Sequence, residues 1–368
     1  MHILFAGGGT AGHINPALAV ADYIKEKHPD AKISFIGTKD RLEAKLVPEK
    51  NYHFYSIKVQ GFRRSLSPSG IIHNVKTVAY VMSSSVKVRK LLKELKPDVV
   101  VGTGGYVSGP VLSEAVKLGI KTAIHEQNAF PGVTNKMLSQ KVDRVMLAMP
   151  EAESRMKFKN NPYLTGNPVR KELTEISKTE AKAKLGFDER PVLLSFGGSL
   201  GAEKINNAAV TIIKELSSKG EFYHIHGTGK SGYETVKNSL GGLIEKETVD
   251  VREYIKDMDV CMAAADLIIC RAGAITLSEL AVCRKPSILI PSPYVAENHQ
   301  YHNAFTLKNA GAAEIIEEKD LTNEKIIETV DKLICNKEKL RDMSKNADKV
   351  AIDDSKERIY NIIMDLLN

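Results

Sequence analysis

Twice in this chain an unbroken aliphatic run ends in a glycine cluster and continues into a helical pattern. Ile3-Leu4-Phe5-Ala6 leads into Gly7-Gly8-Gly9-Thr10-Ala11-Gly12-His13. Val192-Leu193-Leu194-Ser195-Phe196 leads into Gly197-Gly198-Ser199-Leu200-Gly201-Ala202. A strand without polar alternation has to be covered on both faces, which a parallel sheet between helix layers provides. Ile33–Ile36, Val99–Val101, Thr122–Ile124 and Val145–Leu147 continue the first series, and Phe222–Ile225, Leu267–Ile269 and Ser287–Ile290 continue the second. Between the first two strands, Leu18, Ala21 and Ile24 give the stretch from Ile14 to Lys27 one apolar helical face.

The pattern predicts an α/β protein of two doubly wound, Rossmann-like domains facing across a cleft. A length of 368 residues suits two domains better than one core. Turn-forming Asn160-Asn161-Pro162 and Gly166-Asn167-Pro168 place the boundary near residue 165. We read residues 1–165 as the first domain, 166–350 as the second, and 351–368 as a C-terminal helix able to pack back on the first. No apolar run approaches the roughly 18 residues a membrane span needs. The first residues lack the basic leader of a secretory signal. Four cysteines without CxxC spacing read as reduced, mostly buried thiols.

Glycines after a strand let backbone amides approach an anion at a helix N-terminus. Gly7, Gly9 and Gly12 fit a dinucleotide fingerprint formally, but the second strand ends in Gly37-Thr38-Lys39 without the acid that fingerprint needs. His13 stands where the helix dipole favours a neutral ring, so it is a candidate general base, though a histidine here can also simply cap or pack. A second glycine loop, Gly102-Thr103-Gly104-Gly105-Tyr106, follows the strand at Val99. His125-Glu126-Gln127-Asn128 offers polar groups suited to sugar or ribose hydroxyls. Ala272-Gly273-Ala274 would open a helix toward a phosphate, with Glu279 placed to accept from a ribose diol. Arg271 could offset diphosphate charge or hold a structural ion pair. Glu297-Asn298-His299-Gln300 resembles a polar clamp. Asp257-Met258-Asp259 matches the D-x-D of metal-dependent sugar transferases, but in a helix those two side chains diverge, and no other metal-ligand cluster stands out.

Taken in order, GTGGYVSGP, HEQN, GNPVR, FGGSLGA and CRAGAITLSE, with the first loop and the late glutamine, resemble the MurG family of bacterial cell-wall transferases. The resemblance runs from about residue 2 to 310. It implies a B-type glycosyltransferase fold, with a first domain for the acceptor and membrane and a second for the donor. It implies inverting transfer of N-acetylglucosamine from UDP-N-acetylglucosamine to lipid I, giving lipid II, with no cofactor or metal. The donor-contacting positions it implies are Thr10, Ala11, Gly12, Asn128, Arg170, Ser199, Ile255, the run Ala274, Ile275, Thr276, Leu277, Ser278 and Glu279, and Gln300. Gly9, Gly104, Gly105 and Tyr106 fall in the acceptor diphosphate loops, and His13 matches the family's proposed base. Two positions depart from the family. Ala11 stands where a glycine is common, and His299 stands where some members have a glutamine.

Charge adds a second theme. The formal +7 divides into +11 over residues 1–165 (24 Lys+Arg, 13 Asp+Glu) and −4 over the rest (28 and 32). Residues 58–96 alone hold nine basic residues and one acid, net +8. Phe62, Arg63, Arg64, Ile71, Ile72 and Lys76 interleave cations with apolar groups, as an anionic membrane surface requires. We assign Val86 and Leu91 of the same stretch to the core side of a helix from Ile71 to Leu95. The expected setting is peripheral, on the cytoplasmic side of the cell membrane, with no nucleic-acid partner and a place in a cell-wall synthesis complex. A diacylglycerol sugar transferase, an NAD(P)-dependent oxidoreductase and a non-catalytic nucleotide-binding module are the alternatives.

Overall fold

A computed structural model describes residues 1–59, 84–198 and 200–368. The chain forms two compact units, Met1–Pro168 with Asp354–Asn368, and Val169–Asp353. The first holds a seven-stranded sheet of β1 (His2–Gly7), β2 (Lys32–Gly37), β3 (His53–Ser56), β4 (Val99–Gly104), β5 (Lys121–Glu126), β6 (Arg144–Leu147) and β7 (Tyr163–Leu164). Its spatial order is β3-β2-β1-β4-β5-β6-β7, with every pair parallel. The order reverses between β1 and β4, so the crevice beyond their carboxyl ends is the binding position of this topology.

Helix α1 (Ala11–Lys27) starts three residues earlier than the apolar pattern, because Ala11, Gly12 and His13 of the glycine loop already take helical geometry. Residues 84–95 form α3, after α2 (Glu43–Glu49). Val88 and Leu92 of α3 pack into the core, Leu91 is partly buried, and Val86 is 72% exposed. The expectation that Val86 is a core residue is therefore wrong: it lies two residues from Val88, on the far side of the helix. Phe62, Arg63, Arg64, Ile71, Ile72 and Lys76 lie outside the described residues.

The last helix, α14 (Ser355–Leu367), belongs to the first unit. Its Ile359, Ile362, Ile363 and Leu366 are buried with Phe5, Ile24 and Val101 in one cluster. The Tyr360 hydroxyl meets His28 Nε2 at 2.7 Å. Full burial of each such aliphatic is worth about 1.5–3 kcal/mol.

The second unit repeats the plan with β8 (Val192–Phe196), β9 (Tyr223–Gly227), β10 (Val249–Arg252), β11 (Leu267–Cys270), β12 (Ser287–Leu289) and β13 (Ala313–Ile315). The order is β10-β9-β8-β11-β12-β13, again all parallel, with its reversal between β8 and β11. β3, β7, β10 and β13 carry no aliphatic run and are absent from the strands read from sequence. Being short and peripheral, they need no double-sided burial.

Candidate functional site

In the first unit, the β1 and β4 turns flank the switch point and pack on each other. Helix α4 (Gly105–Lys117) follows β4 directly. Gly104 and Gly105 have φ of +103° and +79°. A Cβ on Gly105 would lie 2.4 Å from Gly8 O, and one on Gly104 would lie 2.9 Å from His13 Cδ2. These glycines therefore serve both backbone conformation and close approach. The His13 ring rests against Gly104, with Nδ1 at 3.2 Å from Gly8 O and at 3.2 Å from Thr10 Oγ1. A carbonyl oxygen only accepts, so a proton belongs on Nδ1, and in the neutral ring Nε2 is then the acceptor nitrogen. That tautomer is the one a general base at Nε2 requires. The sequence-read residues Gly9, Thr10, His13, Gly104 and Gly105 are thus brought together. Tyr106 heads α4 and is largely exposed, as are Thr10 and Ala11.

Two residues missed in the sequence hold this arrangement. Glu43 is fully buried. Its Oε2 accepts from Gly9 N at 3.0 Å, and its Oε1 accepts from Thr38 N at 3.0 Å and Thr38 Oγ1 at 2.7 Å. Burial alone would raise its pKa, but those donors outweigh burial and keep it lowered. Ser108, also fully buried, accepts from Gly104 N at 3.0 Å and reaches Ala6 O at 2.7 Å, tying the β4 turn to β1. Nothing local in the sequence marks Glu43, whose partner Gly9 lies 34 residues away.

The HEQN segment differs from its sequence reading. Three of its four side chains are buried and hydrogen-bonded internally, Gln127 through its Nε2 alone. His125 Nε2 meets Gly166 O at 2.9 Å, and burial lowers its pKa. Gln127 Nε2 donates to His125 O at 3.0 Å. Glu126 accepts from Asn128 N, Gly132 N and Asn135 Nδ2 at 2.8–3.1 Å. Hydroxyl recognition by His125, Glu126 and Gln127 is therefore corrected to a loop-fixing role. Asn128 alone of the four is partly exposed, and its Nδ2 donates to Glu126 Oε1 at 3.1 Å.

In the second unit, three sequence-read residues meet in one cavity of about 160 Å³ at the carboxyl ends of β8, β9 and β10, lined in part by Arg170, Ile255 and Glu279. Gly198, Gly227 and Gly229 form part of its wall. A Cβ on Gly227 would press Ile255 Cδ1 at 3.0 Å. Arg170 Nε donates to Glu279 Oε1 at 3.3 Å. Burial raises the Glu279 pKa, and Arg170 works against that rise. Helix α10 (Ala274–Val282) begins after N-cap Gly273, which supplies no side-chain cap. Its first-turn amides point toward the carboxyl end of β11. Ile275, Thr276 and Leu277 lie in that turn, and Ser278 Oγ donates back to Ala274 O at 3.2 Å. Ser199 lies outside the described residues.

Other sequence-read groups are placed elsewhere. Arg271 pairs with Glu318 and donates to Ile290 O at 3.0 Å, so its structural alternative holds. Asp257 immediately precedes α9 (Met258–Ala264), and its side chain pairs with Arg252 at 2.7 Å instead of capping the helix. Gln300, on α11 (His299–Ala310), accepts from Ser292 N at 2.9 Å and does not line the cavity. His299 Nδ1 meets Ala296 O at 2.9 Å. Just before α11, Glu297 and Asn298 both take positive φ, at 55° and 49°. Such strain is held only where surroundings fix it, and it clusters at ligand clamps.

Two parallel α/β units, each with glycine turns at its switch point, and a small cavity at the carboxyl ends of β8, β9 and β10 define the architecture of the glycosyltransferase B-type fold. Residues 3–147 match the glycosyltransferase family 28 N-terminal domain, and residues 192–359 match the family's C-terminal domain. A curated protein of Acetivibrio thermocellus is 47% identical over 100% of this chain and 98% of its own. One of Ruminiclostridium cellulolyticum is 46% identical, covering 100% of both. Each is named UDP-N-acetylglucosamine–N-acetylmuramyl-(pentapeptide) pyrophosphoryl-undecaprenol N-acetylglucosamine transferase. The crystal structure of Acinetobacter baumannii MurG superposes with a TM-score of 0.82 at 29% identity, covering 99% of both chains. The chain belongs to glycosyltransferase family 28 and, within it, to the MurG family of hexosyltransferases.

Proposed function

We propose that this chain transfers N-acetylglucosamine from UDP-N-acetylglucosamine to lipid I, giving lipid II for peptidoglycan, with inversion at the anomeric carbon. The acceptor hydroxyl attacks that carbon, its proton passes to His13 Nε2, and the bond to UDP breaks as UDP takes the electron pair. A positioned base contributes roughly 10²–10⁴-fold. The departing diphosphate gains charge. The α10 N-terminus and the Arg170 guanidinium stabilise it, so the reaction needs no metal. Glu279 accepts from the ribose and Ile255 borders the base. Thr10, Ala11, Gly12, Asn128, Ser199 and Gln300 complete the donor contacts, and Gly9, Gly104, Gly105 and Tyr106 receive the acceptor diphosphate.

The observation that carries this reading is the cavity that gathers Arg170, Ile255 and Glu279 at the carboxyl ends of β8, β9 and β10. The test is transfer of radiolabel from UDP-N-acetylglucosamine to a lipid I analogue, with diacylglycerol in parallel. Labelled lipid II product and an unlabelled diacylglycerol are expected. Label on diacylglycerol alone would replace the reading with that of a glycolipid synthase.

The acceptor is lipid-anchored, so the enzyme works peripherally at the cytoplasmic membrane face. The net +8 of residues 58–96, with apolar residues interleaved, supports this. No helix of the described residues is long and apolar enough to cross a membrane. In vesicle flotation, reversing Arg63, Arg64 and Lys76 should weaken binding to anionic vesicles. Unchanged flotation would remove this patch from the account.

A further inference from the structure

The second unit holds a larger cavity at the opposite pole of its sheet. It has a volume of about 610 Å³ and is bordered by Pro191, Asp266 and Pro286, which immediately precede β8, β11 and β12. Helices α6 (Lys178–Leu185) and α13 (Lys337–Asp348) form its sides. It lies at the amino ends of the strands, whereas the donor cavity lies at their carboxyl ends.

Its charge runs against that of its surroundings. Residues 166–368 are net −4, yet six cations line this cavity against Glu189 and Asp266 alone. Asp266 is taken by Lys178, and Arg284 is held by Asp348 and Asp353 at 2.8 Å each. The other four cations have no carboxylate. Lys182 Nζ donates to Asp188 O at 3.0 Å and Arg190 O at 2.7 Å, and Lys285 Nζ donates to Ala263 O at 2.8 Å and Ala265 O at 3.0 Å. Carbonyls satisfy hydrogen bonds but leave the charge in place. Burial accordingly pushes Lys285 down to about 8 and lowers Lys182 as well. Lys337 and Arg341, one turn apart on α13, make no ion pair among the described residues. Ala183, Phe187, Ile334 and Leu340 supply an apolar wall.

We propose that this cavity binds a small organic anion, a phosphate or carboxylate ester with an apolar body, at a site separate from the donor cavity. The volume lies within the small-molecule range of roughly 300–1,000 Å³ and favours such a ligand over a macromolecular partner. The anion would sit between Lys337 and Arg341 on one side and Lys285 on the other. Its apolar part would face Phe187 and Leu340. One helix connects the two cavities: α10 carries Glu279 of the donor cavity and ends at Val282, two residues before Arg284 and Lys285.

The probe is phenyl phosphate, titrated calorimetrically into the full chain held saturated with UDP so that the diphosphate position is occupied. One equivalent should bind, more tightly than inorganic phosphate. The double variant Lys337→Ala/Arg341→Ala should weaken it by roughly tenfold or more. UDP binding in that variant should stay unchanged, which shows that the unit is folded and keeps this test apart from that of the donor reading. Three results would each overturn the proposal: no phenyl phosphate binding, equal binding by the double variant, or affinity no better than that of inorganic phosphate.

Discussion

At the scale of single residues, the site is built from groups that fix other groups. Glu279, largely but not fully buried, accepts from the half-exposed Arg170 across 3.3 Å. Removing its charge while keeping its shape, as in Glu279→Gln, forfeits a charged hydrogen bond worth about 1.5–3 kcal/mol. Calorimetry should therefore show UDP binding weakened roughly tenfold or more. The direction of the Glu279 shift also sets a pH dependence. Burial raises its pKa, so the carboxylate proposed to accept from the ribose is lost at a higher pH than for an ordinary Glu. UDP affinity should fall on acidification before most carboxylates titrate, and Glu279→Gln should flatten that part of the profile. Glu43 acts through Gly9 and Thr38. Glu43→Ala removes the acceptor of three donors on the exposed Gly9 and the half-buried Thr38, each hydrogen bond worth about 0.5–1.5 kcal/mol. A clear fall in thermal midpoint and a loose glycine loop are expected. An unchanged midpoint would count against the clamp.

At the scale of elements, the glycine turns were legible and their supports were not. Alternation-free strands followed by Gly7–Gly9, Gly102–Gly105 and Gly197–Gly198 name the turns, because such strands need the double-sided cover of a central parallel sheet and glycine tolerates these approaches. Which nearby polar residue serves a turn and which serves a ligand depends on tertiary contacts that local spacing does not encode. So His125, Glu126 and Gln127 read as ligand groups although they hold their own loop, and Glu43 was passed over. A second element-level consequence lies in the strands β8 and β9. Ser195 Oγ lies 2.8 Å from His224 Nε2 and 2.7 Å from His226 Nδ1 in the buried sheet. Burial lowers both histidines, His226 to about 4 and His224 well below its ordinary value. Unfolded histidine titrates near 6.5. Between that pH and about 4 the unfolded chain binds protons the native sheet does not, so stability is full above roughly pH 6.5 and falls as pH drops through this window. Denaturant midpoints measured at successive pH values should decline there, and His226→Gln should shallow the slope.

At the scale of the whole molecule, two copies of one plan carry different chemistry. The order β3-β2-β1-β4-β5-β6 in one unit recurs as β10-β9-β8-β11-β12-β13 in the other. Each reversal point then carries a different cargo of side chains: an oriented imidazole in the first, a carboxylate and guanidinium pair in the second. The chain's end belongs to its beginning. Deleting residues 354–368 would remove four buried aliphatics from the first unit's core, about 6–12 kcal/mol as an upper estimate. Because whole domains are stable by about 5–15 kcal/mol, that truncation should abolish cooperative folding of the first unit. A retained cooperative transition for that unit would contradict this placement of α14. If, as proposed, a helix N-terminus and Arg170 stabilise the leaving diphosphate, removal of divalent ions by a chelator should leave turnover unchanged.

The proposed transfer turns on His13 as base, held by the two glycine loops with Nδ1 toward Gly8 O and its ring against Gly104. Turnover of His13→Ala, measured beside its affinity for UDP-N-acetylglucosamine, tests it most directly. The account predicts a kcat lower by roughly two to four orders of magnitude with donor affinity retained. A variant within about tenfold of the parent would contradict it.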